Sequence, residues 1–359
     1  MEIDYDKNRK IALVAVGGTL ACGTGTGKTP KNGADYIKRV VPELSDCCID
    51  GYDFDRIDSV DMTPKRCSEL AEFVYKLLPK YDGVVITHGT DTMSETSNLL
   101  SFLLQDLNKP VVITGSMKPL EEKNSDTVRN VKDAVMTAAS DLAGVYLAFN
   151  GRIINGTRAK KLDPTINDAF RSVKFGQTAE TSNNKLYLLN ENASFRNGQS
   201  PKLYKNIEEN VVVEEIHQGY DPKKMELLQY LPYCRAVVLK CPGTGGIPKN
   251  LLEPVKDLVK NGKIIAITSK CDAPYVDLSA YEVGQRLLGL GESVIDCKDM
   301  TADTAMAKLR WVLGSAKQIE PAKVKEMMQT PVHYEISMPK PIERAYENHK
   351  MPEVVVQAA

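Results

Sequence analysis

The chain has 359 residues, of which 42% are hydrophobic and 26% charged, with a formal net charge of −1 at pH 7. That balance gives no electrostatic footprint for nucleic acid or an anionic membrane surface, and no apolar run approaches the roughly 20 residues of a membrane helix. The eight cysteines form no CxxC pair and no Cys/His cluster, which leaves no zinc spacing; beside an N-terminus without a signal pattern, they read as reduced thiols of a cytoplasmic protein.

The first predicted strand, Ile11–Val16, ends in Val16-Gly17-Gly18-Thr19. Two glycines let the backbone turn sharply and let a ligand come close. Gly23-Thr24-Gly25-Thr26-Gly27-Lys28-Thr29 follows and looks like a phosphate loop. The first glycine of that pattern falls on Cys22, and Pro30 stands where the helix must open, so a Gly/Thr-rich surface loop is the better reading. Thr63 as N-cap and Pro64 at the first helical position start a helix predicted over Pro64–Leu78. The strand Gly83–Thr87 then runs into Thr87-His88-Gly89-Thr90-Asp91-Thr92-Met93. A helix over Ser94–Leu107, a strand over Val111–Thr114, a helix over Thr127–Ser140 and a strand over Gly144–Phe149 complete an alternation that predicts a parallel sheet between helices.

From Gly176 to Gln218 polar residues dominate, which reads as a hairpin and then a linker. A second α/β pattern has strands at Ala236–Leu239 and Ile264–Thr268 and helices at Leu251–Lys260, Tyr281–Leu288 and Thr301–Leu313. At this length two domains are expected. They are a larger N-terminal α/β domain (1–200) with a mostly parallel sheet, and a smaller C-terminal α/β domain (233–345). A linker (201–232) joins them and a tail (346–359) follows.

Open parallel sheets place ligands beyond the carboxyl ends of their strands. Two Gly-Thr tips there suggest a hydroxyl nucleophile with helpers. A threonine hydroxyl is weak until a base or charge relay activates it. Thr90 and Asp91 are candidates for that work, with Lys160 or Lys161 to balance the carboxylate. Amides at Gly17 and Gly18 can donate to an oxyanion. The competing reading makes Thr90 and Asp91 simple helix caps. His88 acts either as a base or as a support beneath the tip. Cys47-Cys48 reads as core or surface thiols.

Val16-Gly17-Gly18-Thr19-Leu20-Ala21 and Ile86-Thr87-His88-Gly89-Thr90-Asp91-Thr92-Met93 resemble the two signatures of the bacterial-type L-asparaginase family. Asp58-Ser59-Val60-Asp61-Met62-Thr63-Pro64, Ile113-Thr114-Gly115-Ser116-Met117 with Asn124-Ser125-Asp126, and Asp168-Ala169-Phe170 follow in family order. So do Gly243-Thr244-Gly245-Gly246-Ile247-Pro248, Tyr281-Glu282-Val283-Gly284, Asp299-Met300-Thr301 and Lys308-Leu309. The resemblance is nearest the cytoplasmic (type I) branch. It implies hydrolysis of L-asparagine to L-aspartate and ammonia, with no metal or organic cofactor, in a homodimer or homotetramer. Thr19 matches the nucleophile that forms an acyl-enzyme. Thr90, Asp91 and Lys161 match a second set that relays protons, with Lys161 preferred to Lys160 for its distance to Phe170. Ser59 matches the residue that holds the substrate α-carboxylate, Asp91 also faces the α-amino group, and Gly18, Gly89 and Ser116 line the pocket.

The family's lid usually carries a tyrosine that supports the nucleophile. Here Lys28 stands near that place, and the first tyrosine after Thr19 is Tyr36. Either Tyr36 reaches in, or Lys28 takes part, or activity is altered. Gly246 stands where the secreted branch has an Asn, and Tyr275 lies near the place of a partner-subunit Glu, which leaves selectivity against glutamine open. Two other functions compete. One is the asparaginase-like subunit of a tRNA-dependent amidotransferase, disfavoured by a first strand that begins near residue 11. The other is an inactive Asn- or Asp-binding sensor.

Overall fold

The computed structural model describes residues 1–22, 32–41, 44–272, 275–316 and 320–337. Lys28 lies outside them. A nine-stranded sheet forms the larger unit, in the order Glu2–Ile3, Lys185–Leu188, Ala179–Ser182, Arg152–Asn155, Gly144–Phe149, Pro110–Thr114, Gly83–Thr87, Ile11–Gly17, Ile49–Ile57. The last five in that order pair in parallel, and the other pairings are antiparallel.

Every residue of Ile11–Gly17, Gly83–Thr87 and Pro110–Thr114 is buried, as expected for a parallel sheet covered on both faces. The alternation of side chains across a strand divides them between two cores. Ala12, Val14 and Val16 join Val84, Ile86, Leu70 and Leu99 on one face. Ile11, Leu13 and Ala15 join Val85, Ile37, Val131 and Ala134 on the other.

The helix Pro64–Leu77 starts as read, with the Thr63 hydroxyl accepting from Arg66 N at 3.2 Å. The helix after the second tip is shorter than expected, ending at Leu103 instead of Leu107. There Leu104–Gln105 pairs with Lys202–Leu203, and Asp106 takes a left-handed φ of 53°, which no helix continues through.

A second sheet has four parallel strands, Val211–Glu215, Ala236–Cys241, Ile264–Ser269 and Val294–Asp296. The segment read as a linker, 201–232, therefore supplies an edge strand of this sheet and also the helix Pro222–Leu228. The architecture is the expected one, a larger N-terminal and a smaller C-terminal α/β unit. The helix Ala302–Ser315 binds them together. Its Trp311 stacks on Phe102 at 6.0 Å, and the Thr304 hydroxyl lies 2.9 Å from Asn98 Oδ1 and 2.8 Å from the Thr157 carbonyl. No helix among the described residues is long and apolar enough to cross a membrane.

Candidate active site

Ile11–Gly17 and Gly83–Thr87 are neighbours in register, with Ala15 opposite Thr87, so both polar tips leave the sheet at one place. Gly17 and Gly18 take φ of 132° and 79°, a region L side chains avoid. A Cβ on Gly18 would stand 2.3 Å from Gly89 Cα, so the two tips meet backbone to backbone. A single helical turn, Thr19–Ala21, follows and leaves Thr19 partly exposed at its start. Gly89 abuts a third segment: a Cβ there would stand 2.6 Å from Ser59 Oγ. Ser59 is buried at the start of a turn capped by the Asp58 carboxylate, and Thr92 Oγ1 donates to its carbonyl at 2.6 Å. Ser116, at the tip of the next strand, is wholly buried, and its hydroxyl has no hydrogen-bond partner among the described residues.

Lys161 reaches this place from the strand Ala159–Lys161. Its Nζ donates to Thr90 Oγ1 at 2.9 Å and to Asp91 Oδ1 at 2.6 Å. Its neighbour Lys160 instead pairs with Asp272 at 2.7 Å. The Asp91 side chain is 60% exposed and that of Lys161 14%, so the pair faces the solvent side of the tip. A pair so exposed adds little to stability; its consequence is the orientation of Thr90. Neither Thr90 nor Asp91 caps the following helix, whose N-cap residue is Thr92.

His88 lies beneath the tip, with Nδ1 2.7 Å from the Gly89 carbonyl and Nε2 3.2 Å from Thr96 Oγ1. Burial depresses its pKa, against the opposing pull of the Gly89 carbonyl. A neutral ring with Nδ1–H donating and Nε2 accepting satisfies both partners; this tautomer is assigned from them. Both nitrogens are thus spent on orienting the tip. A depressed folded pKa means the unfolded chain binds the proton more readily. The contribution to stability is full above the unfolded value of about 6.5 and is lost as pH falls through the folded pKa. The urea midpoint is therefore expected to drop between about pH 7.5 and about pH 5, and His88→Gln to flatten that slope. His333, also depressed by burial, keeps the slope from vanishing.

Tyr36, on the helix Ala34–Val40, donates its hydroxyl to Glu121 in the loop after Ser116. Burial and the Glu121 carboxylate push this phenol up to about 12, so it stays protonated near neutrality. Thr92 and Thr96 escaped the sequence reading, although the first ties Ser59 down and the second holds His88. Their clue was position, one turn apart at the start of the helix after the tip. Among the described residues no group of three or more His, Cys, Asp or Glu is arranged to hold a metal.

Two family models cover most of the chain: "Asparaginase, N-terminal" over residues 10–194 and "Glutaminase/Asparaginase C-terminal domain" over residues 210–328. The chain belongs to the asparaginase family. An L-asparaginase from Thermococcus kodakarensis is 32% identical, over 91% of this chain and 99% of that protein. The solved structure of the thermostable L-asparaginase from the same organism superposes with a TM-score of 0.85 at 30% identity, covering 92% of this chain and all (100%) of that one. L-asparaginase I from Vibrio cholerae superposes at 0.80 with 27% identity, over 92% of this chain and 100% of that one. One component of the glutamyl-tRNA(Gln) amidotransferase of Pyrococcus abyssi is 31% identical, over 89% of this chain and 75% of that protein.

Proposed function

We propose that this chain is an L-asparagine amidohydrolase. The observation that carries the reading is the Lys161 ammonium held to both Thr90 and Asp91, beside the Gly18–Gly89 contact that brings Thr19 to the same tip. An amide is a poor electrophile with a poor leaving group, and covalent catalysis divides the work. The Thr19 oxygen attacks the side-chain amide carbon. The C–N bond then breaks, the nitrogen takes a proton and leaves as ammonia, and an ester to Thr19 remains. Water attacks that ester, returns the proton to Thr19 and releases L-aspartate. Thr90, Lys161 and Asp91 relay these protons, and backbone amides at the tips stabilise each oxyanion. Ser59 holds the α-carboxylate and Asp91 the α-ammonium. Gly18 and Gly89 let the two tips and the Ser59 turn close up at the pocket wall, and the Ser116 hydroxyl is an unused donor there. The scheme calls on no cofactor. A cytoplasmic homodimer or homotetramer belongs to the same reading.

Ammonia release from L-Asn, L-Gln and D-Asn by the purified protein tests it. L-Asn is expected to turn over, and Lys161→Met to lower kcat by about 10² to 10⁴-fold. Asparagine binding without ammonia release would make the protein a sensor. The relatives named as amidotransferase components support a second reading, under which ammonia appears only with a tRNA-binding partner present.

A further inference from the structure

Lys161 rides on a ribbon that stands apart from the nine-stranded sheet. Among the described residues, Ala159–Lys161 pairs with Phe170–Ser172 in a separate two-stranded sheet, Lys161 opposite Phe170. Ladder hydrogen bonds to the main sheet therefore do not set where the ribbon lies, and side-chain anchors must. At the ribbon's exposed side Asp168 takes Arg152 Nε at 3.0 Å and Arg171 Nη2 at 2.6 Å. On the buried side Phe170 packs on Phe149 of the main sheet at 4.7 Å, an apolar and non-directional contact. The directional anchor is Arg158, immediately before the strand and 1% exposed.

The Arg158 guanidinium spends each nitrogen on a different group. Nε donates to the Tyr334 carbonyl at 2.6 Å, Nη1 stands 2.9 Å from Asp299 Oδ2, and Nη2 donates to Ser337 Oγ at 3.3 Å. Asp299 in turn accepts from Ser337 N at 3.0 Å and from Ser337 Oγ at 2.6 Å. Beside it, Thr157 Oγ1 donates to the His333 carbonyl at 2.8 Å. One side chain thus joins the ribbon, the second α/β unit and the segment 333–337.

We infer that Arg158 is a positioning residue for Lys161, and that the segment 332–337 acts through it to set the Lys161 ammonium against Thr90 and Asp91. The inference rests on the role proposed above for Lys161. A buried ion pair gains little over apolar side chains of equal volume, so stability alone is a weak reason for charge here. Fixed geometry is a better one, because the planar fork holds three partners at set angles and a lysine ammonium does not. A shift of about 1 Å in a positioned group costs about 10²-fold in rate.

The full-length wild type, Arg158→Lys and Arg158→Met/Asp299→Leu are compared for kcat, KM, thermal unfolding and amide exchange. Arg158→Lys keeps a charge for Asp299, and the double variant removes both members of the Arg158–Asp299 pair together. Each is expected to unfold cooperatively and to keep KM. In each, kcat falls by about 10²-fold and exchange quickens at 159–161 and 170–172. Wild-type kcat with wild-type exchange in either variant overturns the inference. So does a double variant whose kcat returns together with its stability, since Arg158 then serves stability alone. A wild type that releases no ammonia refutes the amidohydrolase reading instead. The exchange pattern then still decides whether Arg158 holds the ribbon.

Discussion

Replacing Thr19 by alanine is expected to lower L-asparagine turnover by about 10⁴-fold or more, while binding of L-aspartate stays close to wild type. In the mechanism proposed above, the Thr19 hydroxyl oxygen is the atom that bonds to substrate. Thr90 is the nearest rival, but its hydroxyl is engaged by the Lys161 ammonium at 2.9 Å. An ammonium that donates to an oxygen lowers that oxygen's electron density, which suits a proton relay better than a first attack. The binding groups assigned to the ligand's charged ends, Ser59 and Asp91, are untouched by the change. The split between lost kcat and retained binding is therefore diagnostic: calorimetry with L-aspartate reads one side and coupled ammonia release the other. Thr19→Ser keeps the oxygen and is expected to keep most of the rate. Full activity in Thr19→Ala would remove Thr19 from the chemistry.

The part of this site legible in the sequence was the part written in contiguous residues. Two Gly-Thr tips after β-branched runs required two buried strands, and adjacent parallel strands put their carboxyl ends together. The succession of strand and helix segments was likewise local, and it implied the helical layers found on both faces of the sheet. Neighbouring lysines 160 and 161 could not be separated by residue type, because what divides them is the face of a two-stranded ribbon, set by pairing with residues 170–172. The strand Val211–Glu215 hid in a polar stretch because, at the edge of its sheet, only its first residue is buried. The helix after the tip ended early because Leu104 turns extended to pair with Leu203, a partner far along the chain. Long-range pairs were the least visible. Arg158 and Asp299 are 141 residues apart and Tyr36 and Glu121 are 85 apart, and no periodicity links partners at such distances.

Lys308→Met is expected to cost about 3–5 kcal/mol of stability, the scale for leaving one member of a buried pair alone. Lys308 and Glu335 are both 0% exposed, with Nζ 2.5 Å from Oε1. Nζ also donates to the Thr330 carbonyl at 2.7 Å, and Glu335 accepts from Val332 N at 2.9 Å and His333 N at 2.7 Å. Burial pushes the Glu335 carboxyl up, but the Lys308 ammonium and these amides outweigh it and hold the group below the usual carboxylate range. A depressed folded pKa gives stability that is present above the unfolded value of about 4.3 and lost as pH falls through the folded one. The gap between wild type and Lys308→Met should accordingly narrow in acid. Lys308→Met/Glu335→Leu removes both charges and should recover most of the loss, short of what the Val332 and His333 amides forfeit. Denaturant midpoints by circular dichroism measure all three proteins, and a single variant within about 1 kcal/mol of wild type would sink the argument. Lys308 lies on the helix that joins the two units, and Glu335 lies between Tyr334 and Ser337, the residues that grip Arg158. A charge pair that fixes this segment from behind therefore bears on the ribbon in front of it. Loosening it should quicken exchange at 159–161 even at temperatures where the protein remains folded.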